Sequence, residues 1–388
     1  MVRIDGMIER RKNYTRLPAG RKLLVYIAAI CICALAACTN STFESLEPQD
    51  MNPSWAPNSA QVAFVCYRRQ ASTEWNTDTP YLGPYSGLDG HTLLEICISD
   101  IDGSNRRQLT DNMVADSNPA WSPLGDQIAF VSRQNASSGA DIYVMATDGS
   151  DLVNLTNHSA GYSNLHWSPQ GDTIAFISTR DGGSGDLYVI PTNGGQVERL
   201  TRTRQVSDFM WSPDGESIVF ESGVNSTLEI YIVDVAKGSI IRATNNQVAD
   251  FGPCWSPDGH QIVFSSVRET GTQVYRVNLE TGEEVKLSEG SSPASQASWS
   301  PDGQSVAYVN GGHGAPDQVL RIFHLTTGKV TVFPDFQSLG RIAWSPNSEY
   351  LIHERLEDWN KDGFKEVKLW ILQVDTGTSW AVSSTNTN

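Results

Sequence analysis

Three copies of Trp-Ser-Pro-Asp-Gly begin at Trp211, Trp255 and Trp299, 44 residues apart. Trp121-Ser-Pro-Leu-Gly and Trp167-Ser-Pro-Gln-Gly differ from them at one position, and Trp55-Ala-Pro-Asn-Ser and Trp344-Ser-Pro-Asn-Ser are drifted copies at the two ends. A period of about 40–45 residues marks a blade array, and it outranks every other signal in the chain. The unit at Trp121 shows the grammar. A short extended run, Asn118-Pro-Ala-Trp, meets the turn Pro123-Leu-Gly-Asp, where Pro presets the first turn position and Gly accepts a positive φ. Gln127-Ile-Ala-Phe-Val-Ser and Asp141-Ile-Tyr-Val-Met follow, then the turn Thr147-Asp-Gly-Ser and the run Leu152-Val-Asn-Leu-Thr. That is four short strands with tight turns. Later units repeat it, as in Ser217-Ile-Val-Phe and Ile230-Tyr-Ile-Val. No stretch beyond residue 40 holds a helical period over three turns. The fold expected is therefore all-β: a β-propeller of four-stranded antiparallel blades, seven in number, over residues 50–388.

The Trp-Ser-Pro-Asp-Gly…Ile-Tyr-Val…Asp-Gly-Ser…Leu-Thr pattern resembles the WD40-like repeat of TolB-type β-propellers. Propellers of that family are often six-bladed, whereas seven complete units are counted here. The α/β domain that precedes the propeller in TolB itself is not expected in this chain, which reads as a relative of TolB rather than TolB.

The first 37 residues hold seven Lys/Arg and two Asp/Glu; the net charge of the whole chain is −16, so the remainder carries about −21. That balance argues against nucleic acid and against an electrostatic membrane footprint. Leu23 to Ala37 is apolar but too short for a span, and it reads as an export signal. Leu35-Ala-Ala-Cys38 resembles the bacterial lipoprotein box, which implies diacylation of Cys38 and a mature N-terminus there. An ordinary signal with a chance cysteine and an uncleaved anchor are the alternatives. The expected layout is signal 1–37, tether 38–49 and propeller 50–388, exported and anchored to the bacterial membrane through lipid alone.

Unit one carries the large insertion, Tyr67 to Leu93, with Trp75, Tyr81, Tyr85 and His91. Long loops on rigid scaffolds are usually functional or disordered; the aromatic content favours an ordered, packed loop that caps the channel or makes a binding surface. Cys66 and Cys97 fall on strands expected to pair. An exported compartment permits a disulfide there, and two buried thiols are the other reading. Before the tryptophans, Asn118, Asn164, Asp208 and Gln296 recur at one repeat position and are expected to ring the channel mouth. A solvated strand start or a partner-binding ring both account for them.

Unit seven holds Asp358-Trp-Asn360-Lys-Asp362-Gly-Phe364-Lys-Glu366. Oxygens at alternate positions, a Gly for the sharp turn and a carboxylate three residues on suit Ca²⁺, with Phe364 supplying its carbonyl. The loop resembles the D-x-D-x-D-G calcium loops between propeller strands; a solvated acidic turn is the alternative. No Gly-x-Ser-x-Gly occurs, so the resemblance to prolyl-peptidase propellers does not bring their serine hydrolase, and with the repeats filling the chain a separate catalytic domain is not expected. The function expected is a monomeric, non-enzymatic module holding an envelope protein or peptide. The alternative is a propeller enzyme acting on a polysaccharide, a lyase or hydrolase.

Overall fold

The computed structural model describes residues 50–69, 92–112, 114–133, 139–158, 160–223, 227–269, 271–312, 318–334, 336–358 and 365–382. They form seven four-stranded antiparallel sheets, each built from four strands consecutive in sequence. These are the blades of a seven-bladed β-propeller. Blade one comprises Met51–Trp55, Gln61–Arg69, Thr92–Asp100 and Arg107–Gln108. Blade four comprises Val206–Trp211, Ser217–Ser222, Glu229–Asp234 and Ile240–Arg242, and blade seven Ala343–Trp344, Tyr350–Asp358, Lys365–Gln373 and Ser379–Ala381.

The repeated turn is a hydrogen-bonded device. In blade four Gly215 N donates to Ser212 O at 2.9 Å, closing the turn with Gly215 at φ 73°. Ser212 Oγ donates to Asp214 Oδ1 at 2.5 Å and accepts from Ser217 N at 2.9 Å. Every letter of the motif thus either sets a dihedral or satisfies a backbone group.

The Trp that opens the motif links blade to blade. Trp167, Trp211, Trp255, Trp344 and Trp55 each donate Nε1–H to the carbonyl before the preceding blade's Trp, at 2.9–3.3 Å. The last of these, Trp55 to Ala343 O, closes the ring between blades one and seven. Apolar clusters lie between neighbouring blades. One joins Leu187 and Ile177 to Trp211 and Phe220, and the closing one joins Val62 and Phe64 to Ile352 and Ile371. Burial on both blade faces explains why second and third strands are apolar at consecutive positions. In blade one, Cys66 and Cys97 are joined by a disulfide with Cα atoms 5.8 Å apart. Cys254 is buried, its sulfur accepts from Trp299 N at 3.4 Å, and burial pushes its thiol up to about 11.

Candidate functional site

The first strands line the central channel, and most are bulged. Their pairing with the second strand shifts register just before the Trp, as between Ser117 and Ala120 or Ser295 and Ser298. The residue three before the Trp takes up the irregularity with a positive φ: Asn52 (53°), Asn118 (52°), Asn164 (50°), Gly252 (62°) and Gln296 (58°). A bulge twists the strand and re-aims its side chains, and Asn is enriched there because it tolerates the left-handed region. Asn118, Asn164 and Gln296 share this conformation with Asn52 and Gly252, which the sequence reading omitted; Asp208 and Arg341 stand at the same distance before their Trp without a positive φ.

Two of these positions meet across the ring. Arg341 of blade seven forms an ion pair with Asp208 of blade four. Two blades separate them on one side and three on the other, so the pair crosses the channel. Asp208 is buried, while Arg341 keeps 60% of its side chain open to solvent in the lumen. Enclosure within the ring lowers the Arg341 pKa to about 10, which leaves it charged throughout the physiological range. His166, just before Trp167, packs edge-on against Phe209 with centroids 5.0 Å apart. Burial, helped by the Arg341 charge, pulls its pKa down to about 4, so it is neutral.

Two carboxylates stand behind this pair, one in each of the same two blades. Glu221 accepts from Ser207 Oγ at 2.6 Å and from Gly252 N at 2.7 Å. Glu354 accepts from Asn52 N at 2.7 Å. Burial raises the pKa of both, against the effect of those hydrogen bonds. Both sit ten residues after the Trp, where the other blades have Val65, Val131, Ile177, Ser265 and Val309. Aligning the repeats on that column exposes the exception; reading the motifs one by one does not. Asn164 Nδ2 donates to Ser207 O at 3.2 Å, tying blade three to blade four, and Gln296 Oε1 is buried without a partner.

Cys38, Trp75, Tyr81, Tyr85 and His91 lie outside the described residues, as do Asn360, Asp362 and Phe364. Of the calcium loop, the flanks are described: the strands stay in register up to Asp358 opposite Lys365, with Glu366 opposite Glu357. Among the described residues no three His, Cys, Asp or Glu gather as a metal site would need.

The family model of the TolB beta propeller domain matches residues 85–210 and 204–382. No curated protein sequence matches the chain. Among solved structures, TolB from Acinetobacter baumannii is 20% identical, with 74% of this chain and 75% of that one covered at a TM-score of 0.53. The β-propeller domain of the Trilobed protease from Pyrococcus furiosus, with its open velcro topology, is 15% identical over 88% and 99% of the chains, TM-score 0.61. Oligogalacturonate lyase from Vibrio parahaemolyticus is 13% identical over 67% and 75%, TM-score 0.54. At these identities the likeness is one of fold.

Proposed function

Because the chain belongs to the TolB β-propeller family, we propose that it is an exported, lipid-anchored module whose channel mouth holds an envelope protein or peptide without catalysing a reaction. The observation that carries this is the cross-channel pair of Arg341 and Asp208, with Glu221 and Glu354 bound to backbone N–H groups on either side. The charged groups of the lumen hold one another in place, and a rigid polar ring is left at the mouth. Preorganised donors and acceptors cost little ordering on binding. Aromatic anchors dominate protein interfaces, and the insertion between Tyr67 and Leu93 brings Trp75, Tyr81, Tyr85 and His91 as partner-binding candidates by sequence. Cys38 carries the lipid, and the loop from Asp358 to Glu366 holds Ca²⁺.

A second reading, a propeller acting on a polysaccharide, draws on His166, Arg341 and the two glutamates sharing one lumen. Photocrosslinking separates the two. A crosslinker replacing Asn118 is expected to yield a discrete envelope-protein adduct that is lost in Arg341→Ala. A crosslinker replacing Leu124, exposed on a turn of the opposite face, gives none. Identical adducts from both positions refute the mouth as the binding face. Cleavage of envelope polysaccharide that disappears in His166→Gln transfers the assignment to the second reading. Cys38→Ala is expected to abolish acyl labelling; unchanged labelling refutes the anchor.

A further inference from the structure

The groove between blades six and seven breaks a rule that the other blades keep. Nine residues after the Trp, six blades bury an aromatic ring: Phe64, Phe130, Phe176, Phe220, Phe264 and Tyr308. In four of them it stacks on a tyrosine of the third strand, with centroids 5.5–6.1 Å apart. Blade seven has His353 at this place, 3% exposed, opposite Trp370. The His353 ring lies against Phe336 instead, with centroids 4.1 Å apart.

An arginine covers the ring pair in several blades, and there too blade seven departs. Arg106 over Phe64 is paired with Asp50, Arg199 over Tyr188 with Asp181 and Asp186, and Arg268 over Tyr275 with Glu284. Arg355 lies 4.8 Å over the Trp370 ring, and no carboxylate whose side chain is described pairs with it. Three nitrogens here are buried without a hydrogen-bond partner: His353 Nδ1, Arg355 Nε and Trp370 Nε1. All three residues line one cleft of about 250 Å³, walled on the far side by Phe333, Pro334 and Phe336.

We propose that this cleft binds a small organic carboxylate with an apolar body, its carboxylate supplying the counter-charge to Arg355 that the other grooves build from their own residues. Arg355 Nε–H and Trp370 Nε1–H are donors only, and a neutral imidazole can present Nδ1 as a third. Donors left without an acceptor beside one cleft suit an anion, and hydrogen bonds to a charged group are about twice as strong as neutral ones. Phe333, Phe336 and the Trp370 face suit a ring or short alkyl chain. The volume lies below the roughly 300–1,000 Å³ of sites for drug-sized ligands, which restricts the occupant to a single ring or its equivalent. The site is separate from the channel mouth, and neither assignment depends on the other.

The test is calorimetric titration of the whole chain with phenylacetate, 3-phenylpropionate and hexanoate, and with uncharged phenylacetamide. One site per chain is expected for at least one acid, with phenylacetamide at least tenfold weaker. Arg355→Gln is expected to weaken the acid at least tenfold. His353→Phe, which restores the residue of five of the other six blades and so keeps the fold, is expected to fill the cleft and do the same. Arg268→Gln, in the equivalent groove of blade five, is expected to leave affinity unchanged. The proposal is overturned if no acid binds, if the amide binds as well as the acid, or if His353→Phe binds like the wild type.

Discussion

His353 should make the propeller sensitive to mild acid, and replacing it should remove that sensitivity. The side chain is 3% exposed, and burial, with smaller opposing hydrogen bonds and the nearby Arg355 charge, brings its pKa from 6.5 down to about 4. Its folded pKa lies below its unfolded one, so the unfolded chain binds the proton more readily. The stability it contributes is complete above pH 6.5 and is lost as the pH falls from there toward 4. At about 1.36 kcal/mol per unit, the loss at the acid end is about 3 kcal/mol, of which about 2 kcal/mol falls between pH 7 and pH 5. His353→Phe cannot take up the proton. The stability of the variant relative to wild type should therefore rise by about 2 kcal/mol from pH 7 to pH 5. His166 titrates in the same sense but is present in both proteins and cancels. Urea titrations followed by tryptophan fluorescence at the two pH values measure the difference. Two stability curves that stay parallel, within about 0.5 kcal/mol, refute a buried neutral histidine at this place.

Further outcomes are accessible by the same methods. Reducing the Cys66–Cys97 bond, which closes a separation of 31 residues, should cost roughly 3–4 kcal/mol by loop-closure entropy; a melting curve indifferent to reductant refutes this. Asn118→Ala should cost about 1–2 kcal/mol because Asn118 sits at φ 52°, whereas Asn118→Gly should stay within a few tenths of wild type; equal effects of the two would show that the bulge conformation is not what selects Asn. Adding Ca²⁺ should raise the unfolding temperature of the wild type and leave Asp362→Ala unchanged, and a response that survives the substitution removes the loop as a calcium site.

The blade plan was legible because its determinants are local. Pro, Gly and the Ser–Asp pair act within five residues, and the alternation of turns and apolar runs follows from them. The bulge positions were legible as polar positions, though not as bulges; Asn three before the Trp in blades one, two and three was the available signal. Arg341, His166, Glu221 and Glu354 were not found. Which side chains meet across a channel depends on how many blades close the ring, and no local pattern records that. The exception at His353 was likewise visible only as a column, once six buried rings stood beside it. Ser59 and Ser348 were misread: where other blades keep Gly in the first turn, they look like drift at the two ends of the array.

The structure gives those serines a purpose. Each holds the positive φ that the turn requires, 59° and 62°, at a steric cost that Gly avoids. Each then offers a hydroxyl to the neighbouring turn: Ser59 Oγ accepts from Asn347 N and Ser348 Oγ from Asp302 N, both at 3.0 Å. The first bond crosses the seam between blades seven and one, and the second joins blade seven to blade six. Because among the described residues every blade is built from four consecutive strands, the seam closes there with the contacts that any two neighbours make. It has them: Trp55 to Ala343 O repeats the tryptophan link, and Asp50 N to Val367 O at 3.1 Å matches Asp250 N to Leu228 O at 2.9 Å. Trp380 Nε1 to Ile101 O at 2.8 Å adds a further bond. The Arg341–Asp208 pair then ties the closing blade to the middle of the array, by a route that does not pass through the seam. Blade seven is thus held at three places, against blades one, six and four. Residues that depart from the repeat on either side of the seam are the ones that make those attachments.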